Sequence, residues 1–222
     1  MDMRYAILDL DGTIVDSMGY WRGFEKAFLL ENGIKEEDIK KLSKNEWIGS
    51  DWVEALCEFF NKEYGFSLTP EKFRQWGIDF MMRKYATVID FKPGAKELLE
   101  KMKSQGIKMC VCSSTDRSIM EPVLQKYDLD KYFEFTLHCR QFGKEKNDPD
   151  TFFYCMEKLG AEKPEEVAVF EDALYSASTA KKAGFYVVGM YDVNEKHTAQ
   201  LEEIADQYVT DYAQLDFDKL PE

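Results

Sequence analysis

Asp9-Leu10-Asp11-Gly12-Thr13-Ile14-Val15-Asp16-Ser17 closes the short apolar run that begins at Arg4. Arg4 to Leu10 reads as a buried strand that ends in an acidic turn. Two carboxylates stand two residues apart where the chain leaves that strand, so both can point into one crevice. Gly12 permits a sharp turn there. Crowded carboxylates repel one another, and a hard divalent cation with oxygen ligands is their natural neutraliser. A bare pair of this spacing is better explained as an acidic turn capping the next helix. The whole string, placed after an N-terminal strand, is far more specific.

Downstream of this stretch the pattern changes. From about Ser17 to Thr87 the chain is rich in aromatics and charge, with apolar residues at helical spacing. Phe24, Ala27 and Phe28 share a face and Gly33 closes their helix. Thr69 and Pro70 form an N-cap and first-turn pair for a helix running towards Tyr85. The stretch contains no convincing strand. From Phe91 onward strands and helices alternate. Pro93 opens a helix that stops at Gly106, and Lys108 to Cys112 is a strand. Arg117 to Tyr127 is helical, and a strand follows at Phe135 to Leu137. Thr151 to Leu159 is helical, Val167 to Phe170 a strand, Leu174 to Ala183 a helix and Tyr186 to Gly189 a strand. Lys196 to Ala205 and then Tyr208-Val209 add one more of each.

The expected fold is therefore α/β: a doubly wound, Rossmann-like parallel sheet with an inserted all-helical cap. The core is residues 1–15 and 88–222, and the cap is residues 16–87. Ligands of such sheets sit beyond the carboxyl ends of the strands, and every polar motif falls at such an end. Ser113-Ser114-Thr115 follows a strand and can supply hydroxyls and backbone N–H groups to an anion; an ordinary N-cap is an equally good reading. Lys146, before Pro149 and a helix start, becomes interesting only beside the other motifs, where it could neutralise a phosphoryl oxygen. Phe170-Glu171-Asp172 ends another strand, and alone would be a helix-initiating acidic pair.

The bulk properties bound the function. The chain has 222 residues, is 45% hydrophobic and carries a formal net charge of -13. It can build a sizeable core, and it repels nucleic acid and anionic membranes because no basic patch interrupts the acidic surface. No stretch approaches the ~20 apolar residues of a membrane span. The start does not read as a signal peptide, since its apolar run is short and broken by Asp9. Five cysteines without regular spacing make no disulfide framework, which points to a reducing cytoplasm. Cys110 and Cys112 read as small core residues. His138 and Cys139 lack partners at metal-ligand spacing, and His197 lies in a charged helix.

Four sites of complementary chemistry, in order, at four strand ends resemble the haloacid dehalogenase-like superfamily. The resemblance is nearest to its phosphatases and phosphoglucomutases with a helical cap after the first motif, and it covers nearly the whole chain. It implies that Asp9 attacks phosphorus and forms an aspartyl-phosphate. It implies that Asp11 protonates the leaving oxygen and then takes a proton from the hydrolytic water. Mg2+ would be held by Asp9, the backbone carbonyl of Asp11 and Asp172, with Glu171 assisting directly or through water. Ser113, the Ser114 backbone N–H and Lys146 would bind the phosphoryl oxygens. Thr13 would help position the acid/base.

The substrate expected is a small organic phosphate, acted on by a monomer or weak homo-oligomer. β-Phosphoglucomutase-like enzymes carry a cap histidine that falls at Trp21 here, and an arginine that falls at Trp52 in Gly49-Ser50-Asp51-Trp52. Both differences favour hydrolysis over the mutase alternative. Trp21 and Trp52 are the first choices for substrate contact among Trp21, Trp47, Trp52 and Trp76, although core burial is the commoner fate of such residues. A non-catalytic module that binds cation and phosphate is the reading from another class; intact Asp11 and Lys146 argue against it.

Overall fold

The computed structural model describes residues 4–39 and 52–221. Trp47, Gly49, Ser50 and Asp51 lie outside the described residues. Six parallel strands form one sheet in the order β3-β2-β1-β4-β5-β6. They are β1 (Tyr5–Leu8), β2 (Lys108–Ser113), β3 (Phe133–His138), β4 (Val167–Glu171), β5 (Tyr186–Met190) and β6 (Gln207–Val209). All residues of β1 and β4 are buried, as continuous apolar strands in a sheet covered on both faces should be. The helices are α1 (Met18–Trp21), α2 (Phe24–Glu31), α3 (Trp52–Tyr64), α4 (Pro70–Thr87), α5 (Ala95–Ser104), α6 (Arg117–Lys126), α7 (Cys139–Phe142), α8 (Asp150–Leu159), α9 (Leu174–Lys182) and α10 (Thr198–Ile204).

Side-chain alternation divides the core between two faces. Tyr5, Ile7, Cys110, Val167, Val169 and Val187 face one cluster with Phe152 of α8 and Ala177 of α9. Ala6, Leu8, Met109, Val111, Ala168 and Phe170 alternate with them and are equally buried. On the Phe170 side, Tyr212 packs its ring 6.1 Å away and donates from its hydroxyl to the Thr13 carbonyl at 3.2 Å.

The chain divides into two units, after Met18 and again after Thr87. The first break falls three residues beyond the sequence expectation of 15/16. The reason is local: Gly12 N–H donates to Val15 O at 2.8 Å, and Asp16 N–H donates to Asp90 O at 2.8 Å. Residues up to Ser17 are thus held by core hydrogen bonds. The outgoing and returning segments pair antiparallel at Val15 and Phe91, and Lys92 N–H donates to Ile14 O at 2.9 Å.

The inserted unit is helical throughout its described residues apart from turns. Its core joins Phe28, Leu56, Phe60 and Phe73, with Phe24, Trp52 and Trp76 packed against them. Thr69 accepts from Lys72 N–H at 3.3 Å at the start of α4, as an N-cap does. Several expected boundaries move: β3 spans Phe133–His138, α10 begins at Thr198 and leaves His197 before it, and α5 begins at Ala95 and not at Pro93. Gly94 adopts φ 73, and a Cβ there would come within 2.6 Å of Asp211 Oδ1. The left-handed conformation and the close approach both call for glycine.

Candidate active site

Register brings the motif residues together. Leu8 pairs with Val111 of β2 and with Phe170 of β4, and Asp9 N–H extends the ladder to Phe170 O at 3.0 Å. Asp9, Ser113 and Glu171 therefore lie at the carboxyl ends of three adjacent strands, and Asp172 follows Glu171. Carboxylate oxygens of Asp9, Glu171 and Asp172 lie within 4.8 Å of one another. All three residues are buried. Lys146, itself buried, donates to Asp9 Oδ1 at 2.5 Å and to Glu171 Oε1 at 2.7 Å. Ser176 donates to the same Glu171 oxygen at 2.6 Å.

Burial without enough compensating charge sets the electrostatics. Burial pushes the Asp9 carboxyl up from an ordinary 3.8 to about 7, against the pull of Lys146 and with a push from Glu171. Burial, then the charges of Asp9 and Glu171, hold Asp172 well above the usual carboxylate range. At Lys146 burial acts downward, but Asp9 and Glu171 outweigh it and keep the ammonium charged. Glu171 Oε2 is buried and meets no hydrogen-bond partner. An all-oxygen donor set with an orphaned carboxylate oxygen fits a hard divalent cation. It is the sole such group of ligand residues among those described.

A consequence follows for stability. The folded protein keeps a proton on Asp9 that the unfolded chain releases near an ordinary carboxylate pKa. Between about pH 4 and about pH 7 Asp9 binds more proton in the native state, so its contribution to stability falls as pH rises. With chelator present, the melting temperature should be lower at about pH 8 than at about pH 5. Saturating Mg2+ should flatten that slope, because the cation replaces the proton. A slope unchanged by Mg2+ would count against a cation at this cluster.

Asp11 is held differently. Its two oxygens accept from Ser17 Oγ and Thr115 Oγ1, each at 2.5 Å. Its carboxylate is not part of the three-carboxylate group. Ser17 and Thr115 stand in the motifs read from the sequence, but their grip on Asp11 went unread. The hydroxyl of Thr13, expected to help position the acid/base, lies 3.5 Å from Asp172 Oδ1.

Ser113 is the last residue of β2, buried, and accepts from Thr115 N–H at 3.1 Å. The hydroxyl run is not itself the helix cap: Asp116 caps α6 by accepting from Ser118 N–H at 2.9 Å. Ser114 Oγ donates to Glu145 Oε2 at 3.1 Å, beside Lys146 in the chain. In the inserted unit, Trp21 donates to the Tyr85 hydroxyl at 3.2 Å, and Trp52 sets its ring edge-on to Phe24 at 5.9 Å. Both indoles are half-buried in the aromatic core of that unit. Cys110 and Cys112 are core residues, and Cys112 Sγ lies 3.8 Å from Cys139 Sγ.

One charged pair had no sequence signal. Lys92 donates to Asp192 Oδ2 at 2.8 Å and to Asp16 Oδ1 at 3.3 Å. Lys92 and Asp192 are both buried, and the Asp192 charge adds to the upward push on Asp172. Gly12 is fixed by geometry: it adopts φ 83, and a Cβ there would lie 2.2 Å from Asp172 Oδ2. Gly12→Ala should displace Asp172 and cost about 1–3 kcal/mol of stability, from the strained backbone and the clash. Urea melts of the two proteins check this, and equal midpoints would contradict it.

A parallel sheet with buried carboxylates at its strand ends and a helical insertion after the first strand defines a Rossmann-like α/β protein with an acidic site. The chain belongs to the haloacid dehalogenase-like hydrolase family, whose model matches residues 3–184. It is 32% identical over 184 residues to a phosphorylated carbohydrates phosphatase of Thermotoga maritima, covering 82% of each chain. It is 28% identical over 189 residues to a phosphoglycolate phosphatase of Aquifex aeolicus, again covering 82% of each. Among solved structures it is similar to a candidate beta-phosphoglucomutase from Thermotoga maritima, with TM-score 0.72 and 25% identity over 93% of this chain and 94% of that one. Among the described residues no helix is long and apolar enough to cross a membrane.

Proposed function

We propose that this protein is a Mg2+-dependent phosphomonoesterase that works through an aspartyl-phosphate on Asp9. The observation that carries the reading is the buried Lys146, which bridges Asp9 and Glu171 beside Asp172. A carboxylate nucleophile paired with a fixed cation suits an incoming dianionic phosphoryl group. Relatives that act on phosphorylated carbohydrates or phosphoglycolate agree with that substrate class.

In the first half-reaction an Asp9 oxygen bonds to phosphorus as the bond from phosphorus to the ester oxygen breaks. Asp11 delivers its proton to that oxygen, and the alcohol leaves. In the second, Asp11 takes a proton from water while the water oxygen attacks phosphorus, releasing inorganic phosphate and restoring Asp9. Ser17 and Thr115 orient the Asp11 carboxyl for both transfers. Lys146, Ser113 and the Ser114 N–H hold the phosphoryl oxygens. Asp9, Asp172 and the Asp11 carbonyl, assisted by Glu171, would hold Mg2+, which would supply positive charge to the phosphoryl oxygens.

The test is phosphate release from a panel of phosphorylated metabolites with Mg2+ and with chelator. Turnover that depends on Mg2+ is expected. A folded protein inert towards the whole panel is the contrary result, and it leaves the non-catalytic binding module standing. β-Phosphoglucomutase-like isomerisation is the alternative within the family, named for one solved relative. Conversion of β-glucose 1-phosphate to the 6-phosphate, primed by a trace of bisphosphate, would establish it.

A further inference from the structure

Lys92 stands where the chain re-enters the sheet unit, directly after the bridge between Val15 and Phe91. Its backbone N–H donates to Ile14 O at 2.9 Å, which fixes it beside the first motif. Its ammonium is buried, and donates to Asp192 Oδ2 at 2.8 Å and to Asp16 Oδ1 at 3.3 Å. Asp192 lies just beyond β5 and is 1% exposed. Its other oxygen accepts from Asn194 N–H at 2.7 Å and from Asn194 Nδ2 at 2.9 Å. Asp16 differs, because 61% of its side chain is exposed. One buried ammonium thus joins a buried, fully engaged carboxylate to an exposed one.

A buried ion pair is seldom worth more than apolar packing of the same volume, so stability alone is a weak reason for this one. The place of Asp16 in the chain supplies a stronger reason. Ser17 follows it, is fully buried and donates to Asp11 Oδ1 at 2.5 Å. Asp16 N–H donates to Asp90 O at 2.8 Å, and Ser17 N–H donates to Val15 O at 3.0 Å. The backbone around Asp16 is therefore tied, and Lys92 ties its side chain as well. A hydroxyl held this way presents itself to Asp11 from a fixed direction. Proton transfer depends steeply on such placement.

We infer that Lys92, anchored by Asp192, is a positioning residue for proton transfer by Asp11, acting through Asp16 and Ser17. The inference rests on the phosphatase reading above, in which Asp11 gives the leaving oxygen its proton. Its test is the dependence of kcat/KM on the leaving group, which reports the first half-reaction alone. The substrates are 4-nitrophenyl phosphate, phenyl phosphate and a hexose 6-phosphate, with the full chain and saturating Mg2+. A nitrophenolate leaves without a proton, a phenolate leaves less readily, and a sugar alkoxide needs the proton. Lys92→Met should lose about 10-fold or more on the hexose phosphate, less on phenyl phosphate, and no more than about 3-fold on 4-nitrophenyl phosphate. Asp16→Ala keeps the buried pair of Lys92 with Asp192 and should show the same order of losses. This exposed substitution also decides the matter if Lys92→Met does not fold.

Equal losses on the three substrates would make Lys92 a support of the fold and overturn the inference. Unchanged kcat/KM in Asp16→Ala would overturn it too, because the path to Ser17 runs through that residue. A folded wild type inert towards all three substrates overturns the phosphatase reading itself, and that failure is visible before any variant is made.

Discussion

Asp9→Asn is expected to lower kcat by about 10^4-fold or more and to leave the fold intact. The amide has the shape of the carboxylate but cannot attack phosphorus, so no phosphorylated intermediate should form. Rapid-quench labelling with a radioactive substrate reads this directly. The same substitution should have an opposite effect on stability. The Asp9 carboxyl is pushed up to about 7, chiefly by burial, so its ionised form is a liability in the cation-free protein. Removing that charge should raise the melting temperature above neutrality and flatten the pH slope described above. Substantial turnover by Asp9→Asn would remove the nucleophile, and an unchanged slope would remove the electrostatic account.

Lys146→Met should damage both activity and stability. Among the described residues the ammonium is the sole cation bonded to the three-carboxylate group, at 2.5 Å from Asp9 and 2.7 Å from Glu171. Its loss leaves buried carboxylates facing one another. Breaking a buried pair on one side costs about 3–5 kcal/mol, and losing a preorganised charge beside the reacting group costs about 10^2–10^3-fold in kcat. Denaturant melts in chelator should show the loss, and added Mg2+ should restore part of it, since the cation takes over the neutralising role. Near-native stability in chelator would mean that the carboxylates share protons and need no lysine.

The sequence was most readable where neighbours in the chain are also neighbours in space. The turn at Gly12, the strand at Val167 and the acidic pair at Glu171-Asp172 are local patterns, and they appear where periodicity and strand-end chemistry put them. Lys146 could be singled out only through its company, because a lysine before a loop proline looks solvated by itself. What stayed hidden depends on long-range contact. The hydrogen bond from Thr115 to Asp11 joins residues far apart in sequence, as does the pair of Lys92 with Asp192. A lysine ahead of Pro93-Gly94 carries no local mark of burial. Thr13 likewise has a legible place in the motif, while its hydroxyl contact with Asp172 is long-range.

The antiparallel pairing of residues 14–16 with 90–92 makes the insertion a detour between two points that already touch. Closing a longer detour adds little entropic cost, because that cost grows only with the logarithm of its length. The catalytic scaffold can therefore exchange the segment from Gly19 to Thr87 for helical pieces of other sizes without renegotiating its sheet. The sheet and its insertion are thus joined at a pre-made graft point.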